Sequence, residues 1–192
     1  MDAARRELAA GIHAAATEHD AAQADRLDRY RILEPETAEL LAVLVKAVGA
    51  RRVLELGTSI GYSTIWLADA ADAVGGTLVS VELDAERSAT ARENLERAGL
   101  GAELRVEDAA EALRGSADES WDLIFLDAER PAYAGYWPDV LRSLAPRGLV
   151  AVDNVISHAD QVEELLALMA AEPGVTTTQV PIGAGLQLAV KR

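Results

Sequence analysis

The chain contains no cysteine. That excludes a disulfide framework, a thiolate metal site and a cysteine nucleophile. It is also poor in positive charge: 18 lysine and arginine residues stand against 32 aspartate and glutamate, a net charge of −14. A sequence-independent grip on nucleic acid needs a basic surface, so nucleic acid is not the expected partner, although a locally bound RNA or DNA substrate is not excluded. No apolar run approaches membrane-spanning length, and the N-terminus (MDAARRELAAGIHAAATEHD) is charged throughout, with no apolar signal core. No membrane partner and a cytoplasmic location are expected. Repeats, low-complexity tails and linkers are missing too. What is there is 192 residues, half of them apolar, which suffices for one domain, 1–192, with a full hydrophobic core.

The stretch Arg51–Ala68, RRVLELGTSIGYSTIWLA, organises the rest. An apolar run from Val53 to Leu56 stops at Gly57, Gly61 follows, and Ser63 opens a helical run. Strand, glycine turn and helix make the first half-unit of a parallel α/β sheet. Glycines at these positions permit positive φ and a close approach of the backbone to a ligand. A dinucleotide fingerprint reads G-x-G-x-x-G and rests phosphate on a helix N-terminus. Here the pattern is E-x-G-x-x-x-G, and the acidic Glu55 ahead of the turn disfavours phosphate and favours a cation. S-adenosylmethionine carries a sulfonium and an ammonium and no phosphate. The stretch resembles the first motif of class I S-adenosylmethionine-dependent methyltransferases. That resemblance implies a Rossmann-like fold with S-adenosylmethionine as cofactor, held by Glu55, Gly57, Thr58, Ser59, Gly61, Tyr62 and Ser63.

Residues 3–30 are alanine-rich, with Leu8, Ile12, Ala15 and His19 at helical spacing, which predicts one or two helices. His13 and His19 read as solvated helix histidines without partners. Pro35 suits the first turn of a further helix ending near Gly49. After the glycine loop, Thr77–Asp84 (TLVSVELD) reads as a second strand closed by Glu82. Glu82 lies at the interval where nucleotide-binding α/β folds place a ribose-binding acid, and its two oxygens suit the two hydroxyls of a diol. A helix over Ala85–Ala98 leads to a third strand within Ala102–Ala109. Asp108 at its end suits the N-cap of the next helix.

Trp121–Ala128 (WDLIFLDA) is almost wholly apolar, as in a central parallel strand buried on both faces, and it reaches Asp127. A helix follows, on which Tyr133 and Trp137 read as packing residues, then a Pro146–Gly148 turn. A fifth strand, Leu149–Val155, reaches Asp153-Asn154. His158 reads as an exposed loop residue. A helix over Gln161–Ala171 precedes two strands joined by Gly183-Ala184-Gly185, predicted to form an antiparallel hairpin at the sheet edge. Open α/β sheets bind ligands beyond the carboxyl ends of their strands, and Glu55, Glu82, Asp108, Asp127 and Asp153-Asn154 all fall there. If strands four and five adjoin, Asp127, Asp153 and Asn154 converge, a hard donor set suited to Mg²⁺, Mn²⁺ or Ca²⁺. Loop capping by each acid is the simpler alternative.

Taken in order, VLELGTSIGYST, VELD, FLDAERPAYAGYW and GLVAVDNV resemble the cation-dependent O-methyltransferases of the catechol and caffeoyl-CoA type, over approximately residues 32–190. The resemblance implies a mostly parallel seven-stranded sheet with an antiparallel C-terminal hairpin and helices on both faces. It also implies a divalent metal on Asp127, Asp153 and Asn154, a small hydroxylated acceptor, and Asp108 and Ala109 near the adenine. N-terminal helices, within 1–48, would cover the substrate side, and a homodimer would form through them. One departure concerns the position three residues after Asp127, where that family usually carries a lysine thought to take the substrate proton. Here it is Arg130; a guanidinium stays protonated at neutral pH and stabilises a phenolate electrostatically instead. Ala184 departs as well, standing where many bacterial relatives carry aspartate. Arg130 and Asp127 are the candidate catalytic residues, and the resemblance also implies Asp127 among the residues that bind the cofactor. Two other readings stay open from sequence: an S-adenosylmethionine-binding protein with little small-molecule activity, and a nicotinamide-dependent oxidoreductase, against which Glu55 and the missing third glycine weigh.

Overall fold

A computed structural model describes residues 1–192. The chain runs α1 (Ala3–Ala22), α2 (Pro35–Val48), β1 (Arg52–Leu56), α3 (Tyr62–Asp72), β2 (Thr77–Glu82), α4 (Ala85–Ala98) and β3 (Glu103–Val106). It continues through α5 (Ala109–Gly115), β4 (Trp121–Leu126), α6 (Tyr133–Ser143), β5 (Leu144–Val152), α7 (Ala159–Ala171), β6 (Val175–Val180) and β7 (Leu186–Lys191). The seven strands form one sheet in the order β3-β2-β1-β4-β5-β7-β6. β3 to β5 are parallel, and β7 and β6 add antiparallel pairings at one edge. The predicted fold and edge hairpin are therefore present. None of the helices is long and apolar enough to cross a membrane.

Two apolar layers sandwich the sheet. On one face Val53, Leu123, Phe125 and Ala151 pack with α1, α2, α3 and α4 through Ile12, Leu41, Val45, Ile65 and Leu95. On the other, Leu54, Leu56, Ile124, Leu126 and Val152 pack with α5, α6 and α7 through Leu113, Trp137, Val140, Leu165 and Met169. Alternation along β1 and β4 at a period of two serves both layers, which is why these strands read as unbroken apolar runs. Tyr133 and Trp137 are buried packing residues, as their helical spacing suggests.

Local chemistry sets the element ends. Pro35 opens α2, and Gly49 and Gly99 close α2 and α4 in the left-handed conformation, which glycine reaches without a Cβ penalty. Asp84 and Asp108 accept hydrogen bonds from the first backbone N–H groups of α4 and α5. Three local expectations need correction. The core face of the single helix α1 is Ala9, Ile12 and Ala16, and Ala15 is exposed. His19 stacks on Tyr30 at 4.0 Å between ring centroids, and His13 lies 5.2 Å from the Tyr62 ring, so neither histidine is partnerless. The first contact arises because the chain after α1 folds back along it, the second because α1 packs against α3. Finally, Pro146–Gly148 lies within β5 as a bulge: the register jumps from Trp121↔Leu144 to Leu123↔Leu149, and Arg147 takes φ +65°.

Candidate active site

The sheet order changes direction at β1, with β2 on one side and β4 on the other, and a cleft of about 490 Å³ opens beyond the carboxyl ends of these strands. Its lining includes Gly57, Thr58, Ser59, Tyr62, Ser63, Glu82, Asp108, Ala109, Asp127, Arg130 and Asn154. These eleven are expected site residues brought together from the ends of five strands, β1 to β5. Glu55, Gly61 and Asp153 do not line it.

Glu55 lies beneath the cleft lining. It is fully buried, facing the helical layer on the side of Val53, and three hydroxyls donate to its carboxylate. Ser63 and Thr64 in the first turn of α3 lie at 2.5 and 2.6 Å, and Ser80 on β2 at 2.6 Å. Burial pushes its carboxyl up to about 7 despite those three hydrogen bonds, with the Glu82 charge adding to the rise. Glu55 therefore ties β1 to β2 and to the start of α3 beneath the cleft. The glycines differ from expectation in one respect. Both have positive φ, +105° at Gly57 and +86° at Gly61, but the space that a Cβ would take is filled by the chain itself. At Gly57 it is filled by the backbone carbonyl of Asp127, and at Gly61 by Ala91 of α4, 2.9 Å from the Cβ position. Their smallness draws β4 and α4 against the loop.

Glu82 sits at the cleft wall. Its Oε2 accepts from the Ser59 N–H at 2.7 Å and its Oε1 from the Asp84 N–H at 3.0 Å, which fixes Ser59 at its positive φ of +47°. A carboxylate oxygen has more than one lone pair, so both oxygens retain capacity for hydroxyl donors. Asp108 caps α5 through the Ala110 and Glu111 N–H groups and still borders the cleft.

The floor is acidic. Leu126 pairs with Val152, so Asp127 and Asp153 follow directly on neighbouring strands. Burial, then the Asp153 charge, then Glu55 hold the Asp127 carboxyl well above the usual carboxylate range, against Arg130 and Arg31. Burial also raises Asp153, with hydrogen bonding from Asn154 opposing it. Asn154 adopts φ +64° and donates from Nδ2 to Asp153 Oδ2 at 2.7 Å. Asp153 Oδ1 is buried with no partner. Arg130 is only 6% exposed; its Nη1 donates to Asn154 Oδ1 at 2.8 Å and its Nε to Gln161 Oε1, on α7, at 3.0 Å.

A divalent cation can be weighed against these residues. No group of three or more histidine, cysteine, aspartate or glutamate side chains is arranged as a metal centre. The candidate donors are instead two carboxylates and one amide oxygen. The unpaired, buried Asp153 Oδ1 fits a cation, because a buried acceptor left without a partner is costly. The set fits, with one ligand, Asn154 Oδ1, already engaged by Arg130.

Several cleft residues carry no signal in the sequence. Residues 23–34 cross over the cleft and contribute Leu27, Tyr30, Arg31, Ile32 and Leu33. Asp20 accepts from the Tyr30 and Arg31 N–H groups at 2.7 and 2.8 Å. Ser59 Oγ donates to the Tyr30 carbonyl, and Arg87 Nη2 donates to the Leu27 and Arg29 carbonyls at 2.6 and 3.1 Å. Glu129 pairs with Arg31 at 3.0 Å and Arg26 at 3.5 Å. Positive φ at Arg31, +52°, is the sort of feature only coordinates reveal.

Comparison with known proteins shows the family and the fold. An O-methyltransferase family matches residues 21–192. A Mycobacterium tuberculosis (strain H37Rv) protein named catechol O-methyltransferase is 35% identical over 183 residues, 88% of this chain and 80% of that protein. A Niastella koreensis protein of the same name is 35% identical over 137 residues, 69% of this chain; the match spans only 62% of the Niastella protein. Among solved structures, a Bacillus cereus O-methyltransferase in complex with SAH matches with a TM-score of 0.80 and 29% identity, covering 100% of this chain and 92% of that one. TomG of Streptomyces achromogenes, an O-methyltransferase involved in tomaymycin synthesis and solved with SAM, matches at 0.80 and 27%, covering 100% and 90%.

Proposed function

The chain belongs to the O-methyltransferase family, an S-adenosylmethionine-dependent enzyme by that membership, and from this premise we propose that it methylates a hydroxyl of a small catechol-like acceptor with the help of a divalent cation. The acceptor class draws support from the two relatives named catechol O-methyltransferase. The observation that carries the metal reading is the pair Asp127 and Asp153 on adjoining strand ends, with Asp153 Oδ1 buried and unpaired. Asp127, Asp153 and Asn154 are the proposed ligands, for Mg²⁺ first and Mn²⁺ or Ca²⁺ as alternatives.

S-adenosylmethionine supplies a methyl group on a positively charged sulfur. The loop Gly57–Ser63, with Thr58, Ser59 and Tyr62, is proposed to hold it, Glu82 accepting from the ribose hydroxyls and Asp108 and Ala109 flanking the adenine. A bound divalent cation supplies Lewis acidity, which lowers the pKa of an acceptor hydroxyl. The remaining work falls to the chain. Asp127, between the glycine loop and Asp153, orients the acceptor toward the cofactor's methyl side. Arg130 stays charged and steadies the developing phenolate; it is not the base. The crossing segment 23–34 excludes water and fixes the two reactants relative to one another, which is where much of the rate gain of a two-substrate transfer originates. A homodimer through the N-terminal helices belongs to the same proposal.

Calorimetric titration with S-adenosylmethionine, repeated with Mg²⁺ and a simple catechol, tests it. Cofactor binding is expected in all cases and catechol binding only when Mg²⁺ is present. Turnover of a catechol panel that is indifferent to chelation would remove the metal from the proposal.

A further inference from the structure

We propose that Arg130 and Gln161 form a latch on Asn154 that sets the metal affinity of the floor. The inference rests on the metal reading above and deepens it. Arg130 is buried, and both its bonds are directional: Nε to Gln161 Oε1 at 3.0 Å and Nη1 to Asn154 Oδ1 at 2.8 Å. The planar guanidinium fork offers donors in fixed directions, so anchoring Nε on α7 aims Nη1 at the Asn154 amide. That amide turns its nitrogen to Asp153 Oδ2 and its oxygen to Arg130. Its oxygen is the one donor of the set that carries no charge and the one that a cationic side chain already occupies.

Arg130 hydrogen-bonds to neither acid, and Asp153 Oδ1 remains buried without a partner. The guanidinium therefore does not substitute for a cation between the carboxylates. A metal ion recruiting Asn154 must instead displace Arg130 from the amide oxygen, so metal binding and release of the latch are one event. Gln161 acts here as a positioning residue. Without it the guanidinium loses its second anchor and holds Asn154 less firmly.

The latch differs from plain charge repulsion, and a lysine distinguishes the two. Lysine at this position keeps the positive charge but has no fork with which to span Gln161 and Asn154. The experiment is Mn²⁺ titration of the full chain, read by electron paramagnetic resonance and calorimetry, with Arg130→Lys, Arg130→Met and Gln161→Leu. Arg130→Lys and Arg130→Met are both expected to bind Mn²⁺ at least about tenfold more tightly than the parent, the worth of one charge-assisted hydrogen bond. Gln161→Leu is expected to shift in the same direction by a smaller factor. Mn²⁺ bound by the parent with equal affinity in Arg130→Lys overturns the latch while leaving the metal reading intact. Tighter binding in Arg130→Met alone assigns the effect to charge and also overturns the latch. No Mn²⁺ bound by any of the four proteins overturns the metal reading and the latch with it.

Discussion

Glu55 shows how one buried carboxyl couples the fold to pH. Its pKa is raised from the ordinary 4.5 to about 7 by burial, so the folded chain binds a proton there more tightly than the unfolded chain does. The unfolded state then carries fewer protons than the folded state between those values. Stability from this group is full below about pH 4.5, falls as pH rises to 7, and is flat beyond. Glu55→Gln keeps the size and removes the ionisation. Urea unfolding of parent and variant at pH 5 and pH 8 is expected to show the variant gaining about 2–3 kcal/mol on the parent between the two. A difference that does not change with pH would mean that Glu55 does not ionise in this range. The residue was legible in sequence as a strand-end acid, but its direction was not. On the pleat of β1 it shares a side with Val53, and the hydroxyls of Ser63 and Thr64 stand opposite. Those hydroxyls at the start of α3 are the signal that could have found it. Asp127, Asp153 and Asn154 were legible because each ends a strand. The Arg130–Gln161 bond was not, because 31 residues separate the partners and no periodicity joins them.

At the scale of elements, the parallel strands and most helices follow from apolar runs and their capping glycines and acids. The segment between α1 and α2 does not. It has no regular hydrophobic pattern and is shaped by hydrogen bonds to its backbone: Asp20 from behind, Ser59 from below and Arg87 from α4. Arg87 takes two of its carbonyls, so Arg87→Met is expected to weaken S-adenosylmethionine binding by about tenfold, the loss of one to two hydrogen bonds. Hydrogen exchange at residues 26–31 is expected to quicken in the same variant, while the sheet amides stay protected. Unchanged affinity together with unchanged exchange would show that Arg87 does not hold the segment.

At the scale of the molecule, the mostly parallel seven-stranded sheet with its terminal hairpin was implied by the family resemblance rather than by any one strand, and five successive βα units leave few alternatives for the order that the structure adopts. Association has a weaker signature. Val43 and Val48 of α2 are 59% and 45% exposed, an apolar presence on the helices proposed to meet. Light scattering is expected to give a dimer for the parent and a monomer for Val43→Glu; a monomeric parent would end that part of the proposal.

The anchoring of segment 23–34 has a consequence for divergence. Asp20 belongs to α1, whose residues 3–20 precede the stretch that matches the family, 21–192. The acids and the glycine turn are set by the sheet, whereas the cover above them is hung partly from a helix most of which lies before the stretch that the family model matches. Drift in α1 therefore changes the shape offered to an acceptor without touching the chemistry beneath. Exchanging residues 1–20 between relatives is a route to altered acceptor choice that leaves the reacting groups in place.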